Sequence, residues 1–283
     1  PPDYSSAASD VYKRQAALLT GDTVIAKPAE QTSIIAYKLI KILFEAGLPK
    51  EALQLVLGDG ESIGDEVIKN KHIKGVLFTG SSETANKIQL NLNQRKEIIS
   101  LTAETGGQNF MIVDSSALTE QVVDDVIESA FNSAGQRCSA LRVLAIQDEV
   151  YDKTINMLIG ATKKLKVGLP YLLDTDIGPL IDIEAKNKIL KHLDRFKEKI
   201  LFNFELGKNL DGFFIQPTII EINNLKKIDE EVFGPILHIV RYSSDKIDTL
   251  VDEINNLNYG LTLGIHSRID STINFISDNI TVS

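Results

Sequence analysis

The sequence predicts an α/β protein, on three observations. From Ala16 onward, short β-branched runs alternate with longer helical stretches, the pattern of βαβ units around a parallel sheet. Glycine and proline punctuate the ends of those stretches, as at Gly47 and Pro49. With 43% hydrophobic residues in 283, the chain can bury one large core or two moderate ones, and no low-complexity tract interrupts it.

Taken in order, Thr23-Val-Ile-Ala26 reads as a strand and Ile34 to Ala46 as a helix closed by Gly47. Leu53 to Leu57 is the next strand, Ser62 to Asn70 a helix, and Gly75 to Phe78 a third strand. Thr79-Gly-Ser-Ser82 opens another helix running to about Asn91, so this part fits half of a dinucleotide-binding sheet. After the apolar stretch Ile98 to Thr102 comes Glu104-Thr-Gly-Gly107, and a domain boundary is expected near Gly106. A second run follows: strand Phe110 to Val113, helix Glu120 to Ala134, strand Arg142 to Ile146 and helix Tyr151 to Lys164. The remainder reads as a helix over Ile183 to Phe196, strands over Phe213 to Glu221 and Ile236 to Arg241, and a helix over Ser244 to Asn255. Residues 1–15 lack periodicity and a signal-peptide core, and read as a foreign or disordered segment. Asn279 to Ser283 stops as if in mid-strand.

Composition excludes several function classes. The balance of 30 basic and 39 acidic residues gives a formal charge of −9, which repels polyanions and leaves no basic stripe for nucleic acid. A single cysteine excludes an internal disulfide and a Cys-rich zinc site and points to a reducing, cytoplasmic setting. The longest apolar runs, such as Ile34 to Leu43, are broken by Tyr37, Lys38 and Lys41 and fall short of a bilayer span. His72, His192, His238 and His266 share no metal spacing, so no metal site is expected.

A few residues could carry chemistry. Cys138, in Gly135-Gln-Arg-Cys-Ser-Ala, lies on a turn between a helix and a strand, where Arg137 could favour a thiolate; the alternative is a buried small hydrophobe. Glu104, before two glycines that permit close backbone approach, is placed to activate a water, or else is a surface acid at a turn. Thr79-Gly80-Ser81 is a candidate phosphate cradle at a helix N-terminus, with an ordinary N-cap as the equal alternative. Lys27-Pro-Ala-Glu30 puts a cation and an anion at the carboxyl edge of the sheet, or forms a capped turn with solvated charges. Glu230-Glu231-Val-Phe233-Gly-Pro235 reads alone as a loop.

Together these segments resemble the ordered signature set of the aldehyde dehydrogenase superfamily, including the 34-residue gap from Glu104 to Cys138. The wording Ala-Glu-Thr-Gly-Gly-Gln-Asn, followed by Ser-Ala-Gly-Gln-Arg-Cys-Ser-Ala-Leu-Arg, is most similar to the L-glutamate γ-semialdehyde (Δ1-pyrroline-5-carboxylate) dehydrogenase branch of bacterial bifunctional proline-utilisation proteins. The resemblance implies a partial Rossmann-like cofactor domain over residues 16–106, then an α/β catalytic domain of aldehyde dehydrogenase type over 107–283. It implies NAD-dependent oxidation of the semialdehyde to L-glutamate, the second step of proline breakdown. Cys138 would be the nucleophile and Glu104 the base for thioester hydrolysis. Lys27 and Glu30 would hold the adenosine ribose, Gly80 and Ser81 would lie beside the pyrophosphate, and Glu231 and Phe233 would meet the nicotinamide half. Glu30 would repel the 2′-phosphate of NADP, and Ser139 would help hold the substrate carboxylate. A flavin-dependent proline dehydrogenase module in the same intact chain and a homo-oligomeric assembly are also implied.

The family's oxyanion-holding Asn lies upstream of Gly21, where residues 1–15 stand instead, and its carboxylate-anchoring loop would follow Ser283. A chain truncated at both ends, and impaired as an enzyme, is therefore expected, since an oxyanion donor is worth ~3 kcal/mol. A dehydrogenase of another aldehyde or semialdehyde, or a CoA-acylating relative, is the alternative; Glu104 argues for water as the acceptor. A non-catalytic remnant is the reading from a different class.

Overall fold

The computed structural model describes residues 14–207, 210–228 and 230–281. It divides into two compact units, one ending at Thr105 and the other beginning at Gly106. The segment 1–15, expected to be foreign or disordered, lies outside the described residues except for Arg14 and Gln15, which are helical together with the residues up to 19 (α1, residues 14–19).

The first unit continues with β1 (Val24–Ala26), α2 (Ser33–Glu45), β2 (Leu53–Leu55), α3 (Asp65–Lys69), β3 (Gly75–Gly80), α4 (Ser82–Asn93) and β4 (Ser100–Thr105). The helix expected over Ser62 to Asn70 is a π turn, Gly60–Gly64, leading into the short α3. Helix α2 stops where the sequence says it should. Gly47 takes φ +103°; its N–H reaches Phe44 O at 3.1 Å and that of Leu48 reaches Leu43 O at 3.0 Å, so two orphan carbonyls are satisfied. Ile40 packs on Ala26 and Leu53, with Leu43 and Phe44 beside them. Ile68, Ile88 and Leu92 form a second small core against Phe78 and Leu101. The strands pair in parallel as β1 with β2 and β3 with β4, forming two two-stranded sheets where the sequence suggested one half-sheet.

The second unit contains β5 (Asn109–Val113), α5 (Thr119–Phe131), β6 (Leu141–Gln147), α6 (Tyr151–Thr162), α7 (Ile183–Arg195), β7 (Ile200–Asn203), β8 (Thr218–Ile222), β9 (Ile236–Tyr242), α8 (Ile247–Asn255), β10 (Leu263–His266) and α9 (Asp270–Asn279). Its six strands run in the order β10-β5-β6-β9-β8-β7, all parallel except the antiparallel pair at the β7 edge. Strands β5 and β6 are buried along their whole length, which explains why they read as near-continuous apolar runs without alternation.

Three sequence expectations shift for identifiable reasons. Helix α5 ends at Phe131 and not at Ala134, because Ser133, Ala134 and Gly135 take φ of 54°, 53° and 65°. The strand expected from Phe213 starts only at Thr218, since Pro217 has no N–H to give a ladder. Asn279 ends a helix and is no strand residue: α9 closes with Ile280 N–H on Ile276 O at 2.9 Å.

Candidate active site

In the second unit, β5, β6 and β9 are neighbours, and the segments entering their amino ends carry most of the chemistry. Cys138 and Ser139 lie on the turn into β6, and Glu231 and Phe233 lie in the segment before β9. Cys138 is half-buried and Ser139 exposed. This is the amino edge of the parallel sheet, opposite to the edge where ligands usually sit in open α/β folds.

The turn is shaped by the left-handed run that ends α5. Gly135 is required in it: a Cβ there would stand 2.1 Å from Gly234 O, so the Cys138 turn and the segment before β9 touch backbone to backbone. Two buried polar side chains then fix the turn. Asn109, 2% exposed, donates through Nδ2 to Cys138 O at 2.7 Å and to Ala140 O at 2.8 Å, while its Oδ1 accepts from Thr262 N at 3.1 Å. Arg142 donates to Gly135 O at 2.6 Å, to Arg137 O at 2.8 Å and to Glu231 Oε1 at 3.2 Å. Its guanidinium carbon lies 4.9 Å from the centre of the Phe233 ring.

Burial pushes the Glu231 carboxyl up, with Arg142 and the Gly107 N–H pulling it back, and the same burial pushes the Arg142 guanidinium down. Arg142 keeps its charge, because a guanidinium starts so far above neutrality that it holds its proton. Glu231 Oε2 lies 1.6 Å from the place a Gly106 Cβ would occupy, which explains the glycine there. Gln108 donates to Glu230 O at 2.8 Å and ties this loop to the same segment. Ser139 lines a cleft of about 230 Å³ with Asn109, Ser129 and Thr262.

In the first unit, the parallel register sets Thr79 beside Glu104 and Gly80 beside Thr105, so the cradle motif and the candidate base share the carboxyl end of one strand pair. Glu104 is exposed. Ser81 is the N-cap of α4, its hydroxyl accepting from Thr84 N at 3.1 Å, the local role weighed as its alternative. Gly80 is constrained by Phe78, whose ring would lie 2.5 Å from an added Cβ. Lys27 bridges the ends of β1 and β2: it donates to Pro28 O at 2.9 Å, Gly58 O at 3.2 Å and Glu30 Oε1 at 3.2 Å. The Glu30 carboxyl is held below its ordinary value by its own backbone N–H and by Lys27.

Sequence reasoning assigned no role to Gln108, Asn109 and Arg142. Arg142 had a signal, since a charge inside the run Leu-Arg-Val-Leu-Ala-Ile cannot be buried without partners. Among the described residues, no group of three His, Cys, Asp or Glu could hold a metal ion, and no helix is long and apolar enough to cross a membrane.

Residues 7–283 match the model of a family described as the aldehyde dehydrogenase family. The bifunctional protein PutA of Salmonella typhimurium is 50% identical over 270 residues, covering 91% of this chain and 20% of that protein. A crystal structure of proline utilization A from Bradyrhizobium japonicum matches with a TM-score of 0.93 at 46% identity, over 97% of this chain and 28% of that one. The 1-pyrroline-5-carboxylate dehydrogenase from Thermus, solved with bound NAD, matches with a TM-score of 0.85 at 29% identity, over 93% and 52%. The chain thus spans from about a fifth to about half of the length of these relatives.

Proposed function

The chain belongs to the aldehyde dehydrogenase family, and on that premise we propose that it serves the NAD-linked oxidation of L-glutamate γ-semialdehyde to L-glutamate, with Cys138 as nucleophile and Glu104 as base. The observation that carries this reading is the position of the single thiol, on a turn pinned by Asn109 and Arg142 beside Glu231 and Phe233. Similarity to proteins named for proline utilisation and pyrroline carboxylate oxidation supports the substrate.

Features of the chain fit a dinucleotide. Helix α4, 12 residues long, offers first-turn N–H groups to a pyrophosphate beside Gly80 and Ser81. Lys27 and Glu30 are the groups for the adenosine ribose, Glu231 for the nicotinamide ribose, and Phe233 packs near the ring. When bound, NAD supplies the hydride acceptor.

The residues of the chain do the rest. The Cys138 thiolate attacks the aldehyde carbon, forming a C–S bond and leaving the charge on oxygen. Departure of hydride from that carbon re-forms the C=O and gives a thioester. Glu104, open to water, takes a proton from the water that attacks the thioester, and cleavage of the C–S bond releases carboxylate and returns the thiolate. Ser139 donates a hydrogen bond to the distant carboxylate of the substrate. In the intact protein a flavin-dependent proline dehydrogenase module accompanies this segment, and the assembly is a cytoplasmic homo-oligomer.

The test is NADH formation, by the chain with its flanking segments restored, with L-glutamate γ-semialdehyde and with an unbranched aliphatic aldehyde of similar length. A kcat/KM at least about tenfold higher for the semialdehyde is expected. Equal values would refute the substrate assignment, and no NADH with either would refute the reaction.

A further inference from the structure

We propose that Gln108 is a positioning residue for the dinucleotide: its buried amide fixes the peptide that leads into Glu231, and so sets where that carboxylate stands to meet the nicotinamide ribose. The proposal rests on the reading of Glu231 as the group for that ribose. Residues 230–235, which lead into β9, lie in no helix or strand, so no regular ladder fixes the backbone at Glu231. Side chains hold it instead. Gln108 is 4% exposed, and its Nε2 donates to Glu230 O at 2.8 Å. That oxygen belongs to the peptide joining Glu230 to Glu231, so the bond orients the rigid plane that ends at the Glu231 Cα. Packing alone would be served by an apolar side chain of the same length, without the cost of burying an amide.

The carboxylate itself is received by the residues next to Gln108. Arg142 reaches Glu231 Oε1 at 3.2 Å, while Oε2 stands 1.6 Å from the place of a Gly106 Cβ and the Gly107 N–H faces the same group. Gly106, Gly107 and Gln108 are consecutive, so the backbone that admits the carboxylate and the amide that anchors its peptide belong to one strap. A carboxylate this close to the Gly106 backbone has little room to move. A change in the tilt of the 230–231 peptide is therefore passed to the oxygens that would accept from the ribose hydroxyls. A role limited to holding the loop together makes a different demand: loss of the amide would then weaken every ligand alike, and would do so whether or not residue 231 is a carboxylate.

The experiment is isothermal titration calorimetry with NAD+ and with ADP, which carries the adenosine and both phosphates of NAD+ and lacks the nicotinamide ribose. It compares the protein with its flanking segments restored and its Gln108→Met, Gln108→Asn and Glu231→Gln variants, together with the double variant of Gln108→Met and Glu231→Gln. Gln108→Met keeps the length of the side chain without the donor, and Gln108→Asn leaves the amide one methylene short of Glu230 O. Each is expected to raise Kd for NAD+ by about three- to tenfold, the worth of one hydrogen bond, and to leave Kd for ADP within about twofold of the parent. Glu231→Gln, which trades a charged acceptor for a neutral one, is expected to raise Kd for NAD+ by about tenfold. In that background Gln108→Met should add less than about twofold, because the group it acts through is already lost. If Gln108→Met fails to fold, Gln108→Asn takes its place, alone and beside Glu231→Gln. An unchanged Kd for NAD+ in the Gln108 variants, an equal loss for ADP, or a Gln108 effect undiminished beside Glu231→Gln would overturn the proposal. A Glu231→Gln variant that binds NAD+ as the parent does would overturn instead the reading of Glu231 beneath it.

Discussion

At the scale of single residues, the proposed chemistry uses side chains whose motifs stand out in the sequence, while their supports do not. Cys138 and Glu104 could be singled out because a lone thiol on a turn and an acid before two glycines are unusual local patterns. Arg142 showed only as a charge inside an apolar run, and Asn109 did not show at all. Their importance lies in hydrogen bonds to the carbonyls of Gly135, Arg137, Cys138 and Ala140, and backbone acceptors leave no mark in a sequence. Ser139 gives the first expected outcome. A neutral donor to a charged group is worth roughly 1.5–3 kcal/mol, so in the protein with its flanking segments restored Ser139→Ala should raise KM for glutamate semialdehyde by about ten- to a hundredfold and leave oxidation of a simple aliphatic aldehyde little changed. Steady-state kinetics on both substrates check it; an equal loss on both would mean that Ser139 supports the nucleophile turn and does not select the substrate.

At the scale of elements, the β-branched runs and glycine stops located most strands and helices, because those signals are local. The exceptions have long-range causes. Strand β7 is an antiparallel edge of four residues, half of them partly buried and half exposed, and β10 is a four-residue strand half-buried throughout, so both are too short to show a strand period in the sequence. The early end of α5 depends on the approach of Gly135 to Gly234 O, a contact 99 positions apart in the chain. Asn109 is the clearest element-level prediction, since it stitches β5 to the turn before β6 and to the entry of β10. Asn109→Ala removes all three hydrogen bonds and strands buried backbone groups, and should destabilise the protein by about 2–4 kcal/mol. Denaturant unfolding measures this. A loss below about 0.5 kcal/mol would mean that the turn holds itself.

At the scale of the whole molecule, the α/β class was legible because it follows from patterning alone; the pairing of the first four strands into two separate sheets was not, since parallel partners are chosen by packing. The second unit also carries a pH dependence. Burial, and then the neighbouring His192, push His238 down to about 3, and its Nδ1 lies 3.2 Å from Arg142 O. A histidine depressed in the folded state favours folding fully above its unfolded value near 6.5, and that contribution is lost as pH falls from there toward 3, because the unfolded chain takes the proton first. Melting temperature should therefore drop between pH 6.5 and 4 more steeply in the parent than in His238→Asn, although the variant starts lower at pH 7; parallel slopes would contradict this.

The central claim is that Cys138 carries the substrate as a thioester and that Glu104 brings the water that releases it. It is tested most directly by intact-protein mass spectrometry of Glu104→Gln, in the protein with its flanking segments restored, after mixing with NAD+ and glutamate semialdehyde. The expected result is a burst of NADH with the glutamyl adduct accumulating on Cys138, while turnover falls far more than the burst. NADH formed with no adduct at Cys138, or a burst lost in step with turnover, would contradict the account.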